Sequence, residues 1–189
     1  MTRFLTAAAV AVASLFGGGS GVQAADGQDG SAHAFAFTAI DGSPLPLSQF
    51  VGKAVLVVNT ASQCGFTPQY EQLQAVWQRY REGGLVVLGV PSNDFGGQEP
   101  ATEAQIQDFC ETTFSVDFPL TEKTVVAGDG AHPFYQWARG ELGMVAAPKW
   151  NFHKYLITPD GRLVDWFSTV TRPDSDKVIA AIERVLPRR

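Results

Sequence analysis

The sequence predicts an α/β protein: a central mixed sheet flanked by helices on both faces, with an N-terminal β-hairpin. Three observations carry this expectation. Two continuously apolar, β-branched runs, "AVLVVNT" (Ala54 to Thr60) and "LVVLGV" (Leu85 to Val90), have the character of parallel strands buried on both sides. Between them Leu73, Val76, Trp77 and Tyr80 recur at i, i+3, i+4 and i+7, which makes one apolar helix face. Further on, "KYLIT" and "LVDWFST" flank Pro159-Asp160-Gly161, a turn signal that joins antiparallel strands.

Element by element, residues 1–24 read as a signal peptide. Arg3 gives a positive start, "FLTAAAVAVASLF" is an apolar run too short to span a bilayer, and "VQA" before Ala25 fits a small-x-small cleavage site. An uncleaved N-terminal anchor is the alternative. Residues 25–34, rich in Gly and Asp, are expected to form a flexible N-terminal segment, and residues 35–189 one globular domain. In "FAFTAIDGSPLPLSQF" the Asp41-Gly42 pair marks a small hairpin. After the first buried strand, Thr67 is placed as the cap and Pro68 as the first residue of the first helix, which Gly83-Gly84 ends. After the second strand comes the Gly-rich loop "PSNDFGGQEP". Thr102 and Gln105 then form a T-x-x-Q capping box that opens a helix with Ile106, Phe109 and Cys110 on its apolar face. "DFPL" near Phe118 suggests a short strand, and Pro133 to Leu142 another helix. Pro173-Asp174 opens the last helix, with Val178, Ile179, Ile182 and Leu186 as its stripe. Strand–helix–strand units closed by an antiparallel hairpin and a helix describe a thioredoxin-like architecture.

The chain is 45% hydrophobic and 17% charged, with a formal net charge of -5. This is a globular composition, and without a basic stripe it disfavours nucleic acid and anionic membrane surfaces as partners. His33, His132 and His153 are scattered and lack metal-ligand spacing, so neither a metal nor another cofactor is expected.

The two cysteines are the informative residues. Cys64 lies in the polar stretch "NTASQCGFTPQY", at the carboxyl end of a buried strand and just before a helix. Open α/β sheets place their sites at that edge. The free N–H groups of a helix N-terminus favour an anion, so a thiolate is stabilised there and serves as a nucleophile. A structural disulfide to Cys110 is the plain alternative for an exported protein. Loops at the same edge offer Asn93, Asp94 and Gln98 after the second strand, and Trp150 and Asn151 before "KYLIT". Gln, Trp and Asn supply neutral N–H donors, which hold a thiolate or a peroxide oxygen without a competing negative charge.

Together "NTASQCGFTPQY", "FGGQEP" and "WNFHKYLI" resemble the glutathione peroxidase family, and the resemblance runs from about Phe35 to Leu186. It implies a peroxidatic residue at Cys64 and a catalytic tetrad completed by Gln98, Trp150 and Asn151. Cysteine stands where some animal members carry selenocysteine, so the implied chemistry is that of a thiol. Ser92, Asn93 and Asp94 depart from the family's common Cys-Asn-Gln. "QDFCETTF" resembles the segment bearing the resolving cysteine of the thioredoxin-dependent branch, which gives that role to Cys110. Alone, a cysteine on an apolar helix face is more often an inert core residue.

The implied activity is reduction of hydrogen peroxide and organic hydroperoxides. Cys64 becomes a sulfenic acid, condenses with Cys110, and is recycled by a thioredoxin-like protein, with glutathione as the alternative reductant. A shallow, exposed cysteine loop is expected to admit bulky substrates. The short segment between Phe118 and Trp150 lacks the extra loop of tetrameric members, which implies a monomer. The expected location is outside the cytoplasm, in the periplasm if the source is bacterial. Two other readings remain. A disulfide oxidoreductase is weakened because Gly65, Phe66 and Thr67 follow Cys64 where a C-x-x-C motif would need a second cysteine. A non-enzymatic binding module would use Cys64–Cys110 as a staple.

Overall fold

The computed structural model describes residues 30–188, so the expected signal peptide lies outside the described residues. Strands β1 (Ala36–Thr38) and β2 (Pro44–Pro46) form the antiparallel hairpin. Gly42 sits at its turn with φ +83°, and Asp41 Oδ1 accepts from the Ser43 N–H and hydroxyl.

The main sheet holds four strands in the order β4-β3-β5-β6. Every residue of β3 (Ala54–Thr60) and β4 (Leu85–Pro91) is buried, and the two run parallel from Ala54↔Leu85 to Thr60↔Pro91. β5 (Lys154–Ile157) lies antiparallel to β3, and β6 (Leu163–Phe167) antiparallel to β5. Alternation along the strands divides the core in two. Ala54, Leu56 and Val58 face a cluster completed by α1 (Gln69–Tyr80), α2 (Glu103–Phe114) and α4 (Asp176–Val185). Val55 and Val57 face a second cluster with the β1–β2 hairpin and α3 (Pro133–Leu142).

Most element expectations hold, and four boundaries move. Pro68 is the N-cap of α1 and not its first residue, because the Thr67 hydroxyl is occupied inside the preceding turn. α4 begins at Asp176 after Ser175, two residues beyond the Pro173-Asp174 start. The stretch around Phe118 makes only isolated bridges, Gly89↔Leu120 and Ala39↔Thr121. Ordered structure also begins before Phe35. Ala32–Ala34 form a 3-10 turn, Ala32 is buried, and its N–H donates to the Gly161 carbonyl at 2.8 Å.

The topology fixes where chemistry can occur. β3 and β4 end at one edge, and β5, antiparallel to β3, starts there. The loops after β3, after β4 and before β5 are therefore neighbours.

Candidate active site

Cys64 lies in the turn between β3 and α1. Thr67 shapes that turn: its hydroxyl donates to the Ala61 carbonyl at 2.9 Å and accepts from the Cys64 N–H at 3.0 Å. The Thr67 N–H returns to the Cys64 carbonyl at 2.9 Å. Against this frame the Phe66 N–H donates to Cys64 Sγ at 3.4 Å. Cys64 is 7% exposed although Gln63 and Gly65 beside it are exposed, so the expected open cysteine is instead a nearly buried residue between two exposed ones. Both cysteines are free, so no Cys64–Cys110 staple is present.

The loop after β4 is tied to this turn through Gln98 and Glu99. The Gln98 carbonyl accepts from the Gln63 N–H at 3.0 Å. Glu99 is fully buried, and its Oε2 accepts from the Ser62 N–H at 2.8 Å and the Ser62 hydroxyl at 3.0 Å. Burial pushes the Glu99 carboxyl above its ordinary range, against the two Ser62 bonds and the Lys123 ammonium. Asn93 and Asp94 serve the loops themselves. Asn93 Oδ1 accepts from the Glu99 N–H, and Asp94 Oδ2 accepts from the Val126 and Ala127 N–H groups.

The segment before β5 meets the same place. Asn151 is fully buried, and its Nδ2 donates to Gln98 Oε1 at 2.9 Å. The Trp150 carbonyl accepts from Asn59 Nδ2 at 3.1 Å, while Trp150 as a residue stays 39% exposed with its ring 6.1 Å from that of Phe95. Next to Asn151, Phe152 holds φ +61°, which a bulky residue adopts only when its surroundings enforce it. Full burial and an edge-on contact with Tyr70 supply that enforcement.

Cys110 stands apart from these loops, fully buried on α2 and within the core cluster that also includes Cys64. Burial pushes its thiol up to about 11, aided by the Glu99 and Glu111 carboxylates and opposed by the Tyr70 hydroxyl. The structure thus joins Gln98 and Asn151 directly and places Trp150 on the adjoining backbone.

Sequence reasoning missed Thr67, Glu99 and Lys154. A threonine before a proline reads as a helix cap, and a glutamate in a Gly-rich loop reads as a surface charge. Lys154 did leave a signal, since a lysine inside an apolar strand pattern is out of place unless it is held there.

A thioredoxin-like sheet presenting an unbonded cysteine at its carboxyl edge defines a class of thiol-bearing α/β proteins. Comparison with known proteins narrows the class. The glutathione peroxidase family model matches residues 32–139. A hydroperoxy fatty acid reductase from Synechocystis sp. is 44% identical over 162 residues, covering 82% of this chain and 95% of the relative. A glutathione peroxidase-like peroxiredoxin from Schizosaccharomyces pombe is 44% identical over 137 residues, covering 71% and 86%. The crystal structure of T. cruzi GPX1 superposes with a TM-score of 0.65 at 32% identity, over 83% of this chain and 95% of that one. The chain belongs to the glutathione peroxidase family, and it is a peroxidase.

Proposed function

We propose that Cys64 is the peroxidatic thiol and that Cys110 resolves it. The Cys64 thiolate attacks the O–O bond of a hydroperoxide; the released alkoxide or hydroxide takes a proton, and Cys64 is left as a sulfenic acid. Cys110 condenses with that acid, forming a disulfide and releasing water. A dithiol protein then reduces the disulfide by exchange and is itself oxidised. Gln98, Trp150 and Asn151 supply neutral N–H donors to the reacting peroxide oxygen.

The observation that carries this reading is an unbonded Cys64 whose sulfur accepts the Phe66 N–H, beside the bonded pair Gln98–Asn151. A thioredoxin-like reductant is favoured over glutathione by the second cysteine and by relatives named glutathione peroxidase-like peroxiredoxins. The relative named for hydroperoxy fatty acids supports apolar hydroperoxides as substrates. The chain acts as an exported monomer, in the periplasm if the source is bacterial; the leader-like residues 1–24 support export.

Two variants test the cycle. Cys64→Ser is expected to remove reaction with peroxide while thermal unfolding stays near wild type. Cys110→Ser is expected to consume one equivalent of peroxide per enzyme and then fail to turn over with thioredoxin. Full cycling of Cys110→Ser with thioredoxin would reduce Cys110 to a core residue. Cycling with glutathione alone would select the alternative of a glutathione-dependent peroxidase that uses Cys64 without a resolving cysteine.

A further inference from the structure

Lys154 opens β5 with no exposed surface. A lysine buried this fully is expected to face a carboxylate. The oxygens that surround its Nζ are neutral instead. Gln69 Oε1 and the Thr171 carbonyl each accept at 2.6 Å, and the Ser168 and Thr169 carbonyls lie at 3.5 Å.

These partners belong to segments that carry the site. Gln69 is the first residue of α1, and its N–H donates to the Phe66 carbonyl in the Cys64 turn at 2.8 Å. Its Nε2 donates to the Thr169 carbonyl at 2.7 Å. The Thr169 hydroxyl in turn donates to the Asn151 carbonyl at 2.7 Å. The path from the Cys64 turn to Asn151 therefore passes through Gln69 and Thr169, and both gather on Lys154 Nζ.

We propose that Lys154 is a positioning residue for the peroxide step: its buried amino group holds Gln69 and the 168–171 turn together, and so sets Asn151 against the Cys64 turn. The inference rests on the proposed role of Asn151 at the reacting oxygen. The Lys154 amino group suits the task because every group around it is an acceptor, and although burial lowers its ammonium to about 7, either protonation state offers the N–H donors for the two 2.6 Å contacts. Without it the Gln69 Oε1 and Thr171 carbonyl lose a buried partner. They recover one only by moving, and Thr169 moves with them. A displacement of about 1 Å at a reacting centre is enough to cost roughly a hundredfold in rate.

The test compares Lys154→Met, Thr169→Val and Asn151→Ala with wild type. Thr169→Val keeps the side-chain shape and removes only the hydroxyl bond to Asn151, so it answers even if Lys154→Met fails to fold. Two rates are measured on the reduced full chain: reaction of Cys64 with hydrogen peroxide, and alkylation of Cys64 by iodoacetamide. Alkylation needs an accessible thiolate but not the peroxide-holding donors. All three variants are expected to lose about ten- to a hundredfold in the peroxide reaction while alkylation stays within about twofold of wild type. If Asn151→Ala is slow with peroxide but folded Lys154→Met and Thr169→Val are not, the positioning role is overturned and the site reading survives. Equal losses in peroxide reaction and alkylation overturn it as general loosening. A wild-type peroxide rate in Asn151→Ala overturns both the site reading and the inference built on it.

Discussion

Thr102→Ala probes whether Cys110 must leave its helix to react. Cys110 is fully buried on α2, and burial holds its thiol at about 11 against an ordinary 9. Release into water therefore raises its thiolate fraction at neutral pH about a hundredfold, since each pKa unit is tenfold. The first turn of α2 is secured by a capping box: the Thr102 hydroxyl accepts from the Gln105 N–H, and Gln105 Oε1 accepts from the Thr102 N–H at 3.0 Å. Removing such a cap costs about 1 kcal/mol. If that cost falls on the closed helix alone, the open population grows about fivefold. The peroxide step, which the proposed cycle gives to Cys64, should be unchanged. The assay mixes reduced protein with one equivalent of hydrogen peroxide and follows thiol loss by rapid quench, where sulfenic acid and then disulfide appear as two phases. The second phase is expected to quicken by about fivefold and the melting temperature to fall by about 2–4 °C. A second phase at the wild-type rate in a protein that melts earlier would refute the reasoning, because Cys110 would then react without α2 opening from its N-terminus.

Two further outcomes follow from burial and close packing. Burial holds the His153 imidazole down to about 4 from 6.5, so its stabilising contribution is complete above pH 6.5 and lost as pH falls through 4. His153→Phe keeps an aromatic ring against Trp166 and Tyr155. Urea unfolding between pH 6.5 and 4 is expected to show a loss of about 3 kcal/mol in wild type that the variant lacks; an equal loss in both would sink the assignment. Gly89 in β4 lies where a Cβ would meet Leu120 Cδ2 at 2.5 Å. Gly89→Ala should destabilise by about 1–3 kcal/mol, and a neutral result by chemical denaturation would mean that the Leu120 segment yields freely.

The sheet and its helices were legible in the sequence because each has a local cause. The runs at β3 and β4 have no polar face to offer water, and α1, α2 and α3 carry periodic apolar residues between recognisable ends. The boundaries that moved depend on contacts between segments. Thr67 would cap α1 if the turn did not engage its hydroxyl first. The Phe118 stretch has strand composition but finds only one residue of β4 to pair with.

The same division runs through the site. By itself the sequence determined which residue types are present and at which sheet edge they gather: Cys64 after one buried strand, Gln98 after the next, Trp150 and Asn151 before a third. The elements and their succession along the chain are written in apolar patterning, whereas the sheet order β4-β3-β5-β6 needs the coordinates. Only the tertiary structure decided that Cys64 is nearly buried between exposed neighbours, that Asn151 bonds Gln98, and that Glu99 and Lys154 brace the loops from beneath. Those are relations between side chains 37 to 85 residues apart in the chain. Burial turns such polar groups from solvated surface into fixed partners, because an unpaired polar group costs little in water and several times more inside.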